Sequence, residues 1–154
     1  MSEELDTFDR AILRLLQVDN ALAHRLIGEK VNLSAPSVQR RIRRMERLGV
    51  IAANVALVDP EKVDLPLTII VELELVSETT REIDAIKAQL SGTAEVQQCY
   101  YVTGEVDIVL VMVVASMTHY EELSRRLFIE NDAVRKFRTF VSMDRVKARM
   151  ELQL

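Results

Sequence analysis

Five arginines fall within eight positions of this 154-residue chain: Arg40, Arg41, Arg43, Arg44 and Arg47. A guanidinium keeps its charge at any physiological pH. Its planar fork of N–H donors matches the paired oxygens of a phosphate or the O6/N7 edge of guanine. The run that carries them, Ser34 to Gly49, holds a single acid, Glu46. Ser34 suits a helix N-cap, Pro36 fits the first turn, and Gly49 can end the helix left-handed. Val38, Ile42 and Met45 recur at helical spacing and predict a buried stripe. At about 100° per residue, Arg40 and Arg47 point away from that stripe, flanked by Ser37, Arg43 and Arg44. The chemistry expected is anion binding from the exposed face of an anchored helix, with double-stranded DNA as the ligand.

The elements that must hold this helix are legible in the first 50 residues. Asp6 is placed to cap a first helix, Asp9 takes its third position, and Phe8, Ile12, Leu15 and Leu16 form its inner stripe. Asp19-Asn20 breaks it. A second short helix is expected from about Ala23 to Lys30, with Leu22, Leu26 and Ile27 inward. Val31-Asn32-Leu33 reads as a tight turn in which Asn32 can go left-handed. Two helices joined by such a turn, the second basic and exposed, form a helix-turn-helix. In that motif the N-terminal part of the second helix enters the major groove, which assigns Ser34, Ser37 and Arg40 to base reading. An Arg40–guanine pair would discriminate by about 1–3 kcal/mol. Arg43, Arg44 and Arg47 are expected to grip phosphate, and Gln39 to touch base or phosphate. Arg41 lies at the edge of the buried stripe, where an intramolecular ion pair competes with an external contact. Val50-Ile51 and the run to Val58 are expected to form a strand or wing, and Asp59-Pro60 marks a boundary.

Beyond Pro66 the periodicity changes. Leu67, Ile69, Val71, Leu73 and Leu75 alternate with Thr68, Ile70, Glu72 and Glu74, as in a strand with one acidic face. A helix follows over about 80–90, with Ile83, Ile86 and Leu90 inward. Strands are predicted over 96–102 and 106–114, separated by Thr103-Gly104-Glu105. Thr118 with Glu121 reads as a capping box opening a helix that continues through Tyr120, Leu123 and Leu127. The last strand is 134–141. The order strand, helix, strand, strand, helix, strand predicts a ferredoxin-like βαββαβ domain, so the chain as a whole is α+β. The boundaries that follow are 1–51 for a DNA-binding domain, 52–65 for a wing strand and hinge, and 66–154 for a sensing and oligomerisation domain. A sheet with apolar residues on both faces predicts burial between subunits.

Charge is distributed to match. The net charge is −4, which excludes coating nucleic acid by bulk charge. Residues 1–60 carry nine Lys/Arg against eight Asp/Glu, and residues 61–154 eleven against sixteen. The one cysteine, Cys99, forms no intrachain disulfide. The acidic N-terminus does not resemble a signal peptide and no apolar run reaches a bilayer span, so a soluble, cytoplasmic protein without membrane association is expected. His24 and His119 lie far apart and glycines are few, so neither a metal site nor a cofactor is expected.

Several segments, in order, resemble the Lrp/AsnC (feast/famine) family of transcription regulators. They are Leu5-Asp6-x-x-Asp9-x-x-Ile12-Leu13, Val31-Asn32-Leu33-Ser34, Arg40 to Ile51, Ala56-Leu57-Val58-Asp59-Pro60, Cys99 to Asp107, and Arg138-Thr139-Phe140-Val141-Ser142-Met143. The resemblance implies an N-terminal winged helix-turn-helix and a C-terminal ligand-sensing domain that dimerises through its sheet and assembles to an octamer. It also implies a small effector, an amino acid, bound near the hairpin turn between sensing domains. Tyr101, Val102, Thr103, Gly104, Glu105, Asp107, Met117, Phe140, Val141 and Ser142 match positions near that pocket. Turn N–H groups would take the effector's carboxylate, and Asp107 its ammonium. Each of these side chains also reads as turn or core, Phe140 and Val141 above all. Three positions depart from the family pattern: Glu105 stands where Asp is usual, and Ala23 and Arg25 replace a Ser cap and a Glu. An enzyme on the same scaffold, such as a sirohaem-decarboxylase-like protein, is the alternative.

Overall fold

The computed structural model describes residues 4–77 and 79–154. Helices α1 (Thr7–Val18), α2 (His24–Val31) and α3 (Ala35–Arg47) come first. Strand β1 (Leu67–Leu75), helix α4 (Thr80–Ser91), strands β2 (Val96–Tyr101) and β3 (Ile108–Val114), helix α5 (Met117–Ser124) and strand β4 (Val134–Val141) follow. The chain divides into two units, one running to Leu57 and including Ala148–Leu154, the other Val58–Lys147.

In the first unit, Asp6 and Asp9 form a reciprocal capping box at the start of α1. Ile12, Leu13, Ile27, Val31, Val38, Ile42 and Met45 make its core. Phe8, expected inside, is 41% exposed, because Leu13 takes the inward position instead. Leu26 is likewise at the surface. Asn32 adopts φ 56°, ψ 45°, and this left-handed residue turns the chain between α2 and α3. Gly28 sits under that turn, where an added Cβ would lie 2.3 Å from the Leu33 carbonyl oxygen. Ala23 offers α2 no side-chain cap, as its residue type implies.

The wing strand does not form. Residues 52–59 are exposed and pair with nothing in a ladder, and the next regular element is a short 3₁₀ turn, Pro60–Val63, capped by Asp59. The β-forming residues Val55, Leu57 and Val58 are there, but an extended segment without a neighbour cannot satisfy its backbone as a strand. The expected domain limits also shift. Ala148–Leu154 groups with the first unit: the Gln17 amide exchanges hydrogen bonds with the Leu152 backbone at 3.0 and 2.6 Å. Arg14 Nε donates to the Leu154 carbonyl at 2.6 Å, and the Leu154 side chain packs on the helical core.

The second unit is a four-stranded antiparallel sheet in the order β2-β3-β1-β4. This is the ferredoxin-like arrangement, with both helices on one face. Ile69, Val71, Leu73, Ile108, Leu110 and Met112 face them. The opposite face carries Ile70, Val109, Val111, Val113, Tyr100 and Phe140, all of them partly or largely exposed. Across it run the ion pairs Glu72–Arg138 at 3.0 Å and Glu74–Lys136 at 3.6 Å. Helix α5 starts differently from expectation. Ser116 is the N-cap, accepting from the His119 N–H, so Thr118 and Glu121 lie inside the helix rather than forming a capping box.

Gly28→Ala should lower the stability of the first unit by about 1–3 kcal/mol, since the methyl meets backbone that must move. Gly49→Ala meets open space and should lose only the cost of a left-handed alanine, about 1–2 kcal/mol. Urea denaturation of both variants gives the comparison.

Candidate nucleic-acid interface and effector site

Helix α3 begins with the Ser34 hydroxyl accepting from the Ser37 N–H, and its stripe of Val38, Ile42 and Met45 is buried. The five arginines divide into two sets. Arg40, Arg43 and Arg47 lie toward solvent and make no ion pair or hydrogen bond among the described residues. Arg41 and Arg44 turn back onto α1. Arg41 Nη1 donates to Asp6 Oδ2 at 2.8 Å and to Asp9 Oδ1 at 2.9 Å, while Arg44 Nη2 donates to Asp9 Oδ2. Arg41 also lies over the Phe8 ring, 5.5 Å from its centroid, which accounts for an aromatic ring at the surface.

The Asp9 carboxylate is wholly buried, and a charge taken out of water requires a partner for each of its oxygens. Both guanidiniums meet that need. Arg41's own hydrogen bonds, to Asp6 first and to Asp9, raise its pKa above the ordinary arginine value. At Asp6, the hydrogen bond from the Asp9 N–H, aided by Arg41, holds the carboxyl below its ordinary 3.8. Arg41 therefore takes the ion-pair role left open by its position. Arg44, expected on phosphate, has its charge offset by Asp9. Ser34, Ser37, Gln39, Arg40, Arg43 and Arg47 remain on the outer side, with Ser34 and Ser37 also bonded to each other through their hydroxyls. Sequence patterns alone do not pair Asp9 with these arginines. The available signal is an acid at a third helical position, which capping by itself accounts for.

The ten residues assigned to the effector fall into separate groups. Tyr101 to Asp107 form the β2–β3 hairpin, at the end of the sheet where Ile108 pairs with Leu73. Gly104 there has φ 134°, a conformation suited to glycine. Met117, Val141 and Ser142 lie at the other end, where Val114 pairs with Leu67 and the Ser142 N–H donates to Thr68. The length of β3 separates the two groups by about 20 Å. Phe140 belongs to the open face, level with Ile70. One chain therefore does not bring them together. Asp107 Oδ2 accepts from the Leu75 N–H at 2.7 Å, so this carboxylate braces the hairpin against β1. The exposed acid at the tip is Glu105. Tyr101 lies under Lys87, whose Nζ is 4.0 Å from the ring centroid. Burial pushes the Cys99 thiol pKa up, which leaves it a poor nucleophile.

Residues 5–46 match the AsnC-type helix-turn-helix domain, and residues 68–152 match the Lrp/AsnC ligand binding domain. An uncharacterized HTH-type transcriptional regulator of Sinorhizobium fredii is 43% identical over 94% of this chain and 86% of its own length. A leucine-responsive regulatory protein of Haemophilus influenzae is 34% identical over 95% of this chain and 88% of its own length. Among solved structures, an AsnC family transcriptional regulator from Agrobacterium tumefaciens superposes with a TM-score of 0.91 at 34% identity, covering 97% of each chain.

Asp9→Ala leaves two guanidiniums facing a cavity and removes half of the capping box. It should lower stability by roughly 3 kcal/mol, the low end for a broken buried pair because both arginines keep some access to water. Chemical denaturation measures it. The depressed Asp6 pKa contributes stability that is present above pH 3.8 and lost as pH falls through the lower, folded value. Asp6→Asn should therefore flatten the melting temperature below that pH relative to the parent.

Proposed function

The chain belongs to the Lrp/AsnC family of transcriptional regulators, and from that membership we propose that it is a cytoplasmic, sequence-specific DNA-binding regulator whose DNA binding or assembly responds to a small effector, an amino acid. The observation that carries the DNA reading is the outward set Arg40, Arg43 and Arg47, without partners among the described residues, on a helix anchored by its opposite face. Gln39, Ser34 and Ser37 stand beside it at the end of the helix that enters a major groove in this motif. Arg40 is assigned to guanine, Arg43 and Arg47 to phosphate. Arg44 contributes through the fold rather than by gripping DNA.

The effector assignment rests on the ligand-binding domain that residues 68–152 match and on relatives named as leucine-responsive. The hairpin supports it: Gly104 opens the backbone at the tip, and Glu105 is an exposed carboxylate able to face an ammonium group. Because the assigned residues sit at opposite ends of the sheet, the pocket is completed by a second copy, the hairpin of one protomer meeting Met117, Val141 and Ser142 of another. The open apolar face around Val111, Ile70 and Phe140 is the proposed dimer surface, from which octamers assemble. The alternative, an enzyme holding a polyanionic tetrapyrrole, calls for cationic groups in the sensing unit. That half of the chain is acidic, and its histidine, His119, stands 3.3 Å from Glu95.

Fluorescence anisotropy on duplex DNA at several salt concentrations tests the interface. Arg40→Ala with Arg47→Ala should weaken binding at least tenfold and flatten the salt dependence by about 0.9 in slope for each phosphate no longer neutralised. An unchanged isotherm would remove the assigned surface. L-leucine or L-methionine should raise the melting temperature of the parent by a few degrees, with Gly104→Val abolishing the rise. Val111→Asp should convert the assembly to monomers in size-exclusion chromatography with light scattering; retention of the parent mass would place the dimer surface elsewhere.

A further inference from the structure

The two arginines that turn inward lie on one flank of α3. At about 100° per residue, Arg41 and Arg44 fall roughly 70° and 130° to one side of the buried stripe. Gln39 and Arg43 fall at similar angles to the other side, and Arg40 and Arg47 lie nearly opposite. The apolar stripe holds α3 down, but burial has no angular preference of its own, so only the steric fit of Val38, Ile42 and Met45 opposes a small roll about the helix axis. Hydrogen bonds do have direction. Asp9 is fully buried, stands at the third position of α1 with its place set by the capping box, and engages both guanidiniums of that flank.

We propose that Asp9 is a positioning residue for DNA reading: it fixes the rotation of α3 about its own axis, and so decides which way Arg40, Arg43 and Arg47 face. This rests on the DNA-binding reading given above. The side chains lie about 5–6 Å from the helix axis, so a rotation of roughly 20° would move an arginine by about 2 Å. A base-edge hydrogen bond tolerates a few tenths of an ångström. Phosphate contacts from flexible side chains in a uniform field of charge tolerate much more. Loosening the lock should therefore erase sequence preference while leaving non-specific affinity nearly intact. That separates positioning from a merely structural contribution, which lowers stability but leaves the preference of the folded protein unchanged.

The test uses the full chain. The parent selects its preferred sequence from a randomised duplex pool. Affinity for that sequence and for an unrelated duplex is then measured for the parent, for Asp9→Asn and for the double variant Arg41→Lys/Arg44→Lys, at a temperature where circular dichroism shows each one folded. The expected result is a specificity ratio reduced at least about tenfold, the scale of one misaligned base contact, with affinity for the unrelated duplex within about threefold of the parent. If Asp9→Asn does not fold, the lysine pair decides. It keeps every charge and loses only the planar fork that resists rotation. Folded variants that keep the parent's ratio overturn the positioning role and leave the DNA-binding reading standing. A parent that binds no duplex, or selects no sequence, overturns both.

Discussion

A carboxylate with no access to water, Asp9, is the constraint on which the N-terminal unit depends. Isolated, it would be far too costly to bury. It is retained because α3 supplies two guanidiniums and α1 supplies the capping geometry. The same arrangement divides the arginine run by role. Charges on one flank are neutralised inside the protein, and those on the outer face stay available. A helix with all five arginines outward would present more charge but would lack directional bonds to α1. The observed division leaves Arg40, Arg43 and Arg47 outward and commits Arg41 and Arg44 to directional bonds with α1 and its cap.

The sensing unit follows a different logic. Its helices cover one face of the sheet, and the other remains partly apolar around Ile70, Val111 and Phe140, crossed by Glu72–Arg138 and Glu74–Lys136. Such a face is incompletely satisfied in a single chain. The hairpin is rigid where it meets β1, through the Asp107–Leu75 bond, and open at Gly104 and Glu105. The residues the family resemblance associates with an effector therefore do not converge on a cavity within one chain. They lie at opposite ends of the sheet, the hairpin beside the Leu73–Ile108 pair and Ser142 beside Thr68.

Particular elements show how much of the fold is readable from sequence. The cap at Ser34, the left-handed Asn32, the stripe of Val38, Ile42 and Met45, and the strand 134–141 follow from local rules in which a few neighbouring residues decide the outcome. The departures share another cause. Periodicity places Phe8 inside, yet a cation above the ring and a better-placed Leu13 leave it at the surface. Residues 52–58 have strand-forming composition but no neighbour to pair with. The segment 148–154 carries no local signal that its end docks on α1.

Periodicity, capping residues and charge placement, read from the chain alone, determined the order of the helices and of the four sheet strands, the α+β class and the basic helix, because each is set by short-range backbone preference and burial pattern. The family was legible in several motifs that occur in order. Only the tertiary structure decided which arginines face outward, that Asp107 braces the hairpin, and that the residues the family resemblance assigns to an effector are split along the sheet. Those outcomes depend on pairs such as Asp9 with Arg44, separated by 35 positions. No local rule links residues at that distance; packing two helices against one another does.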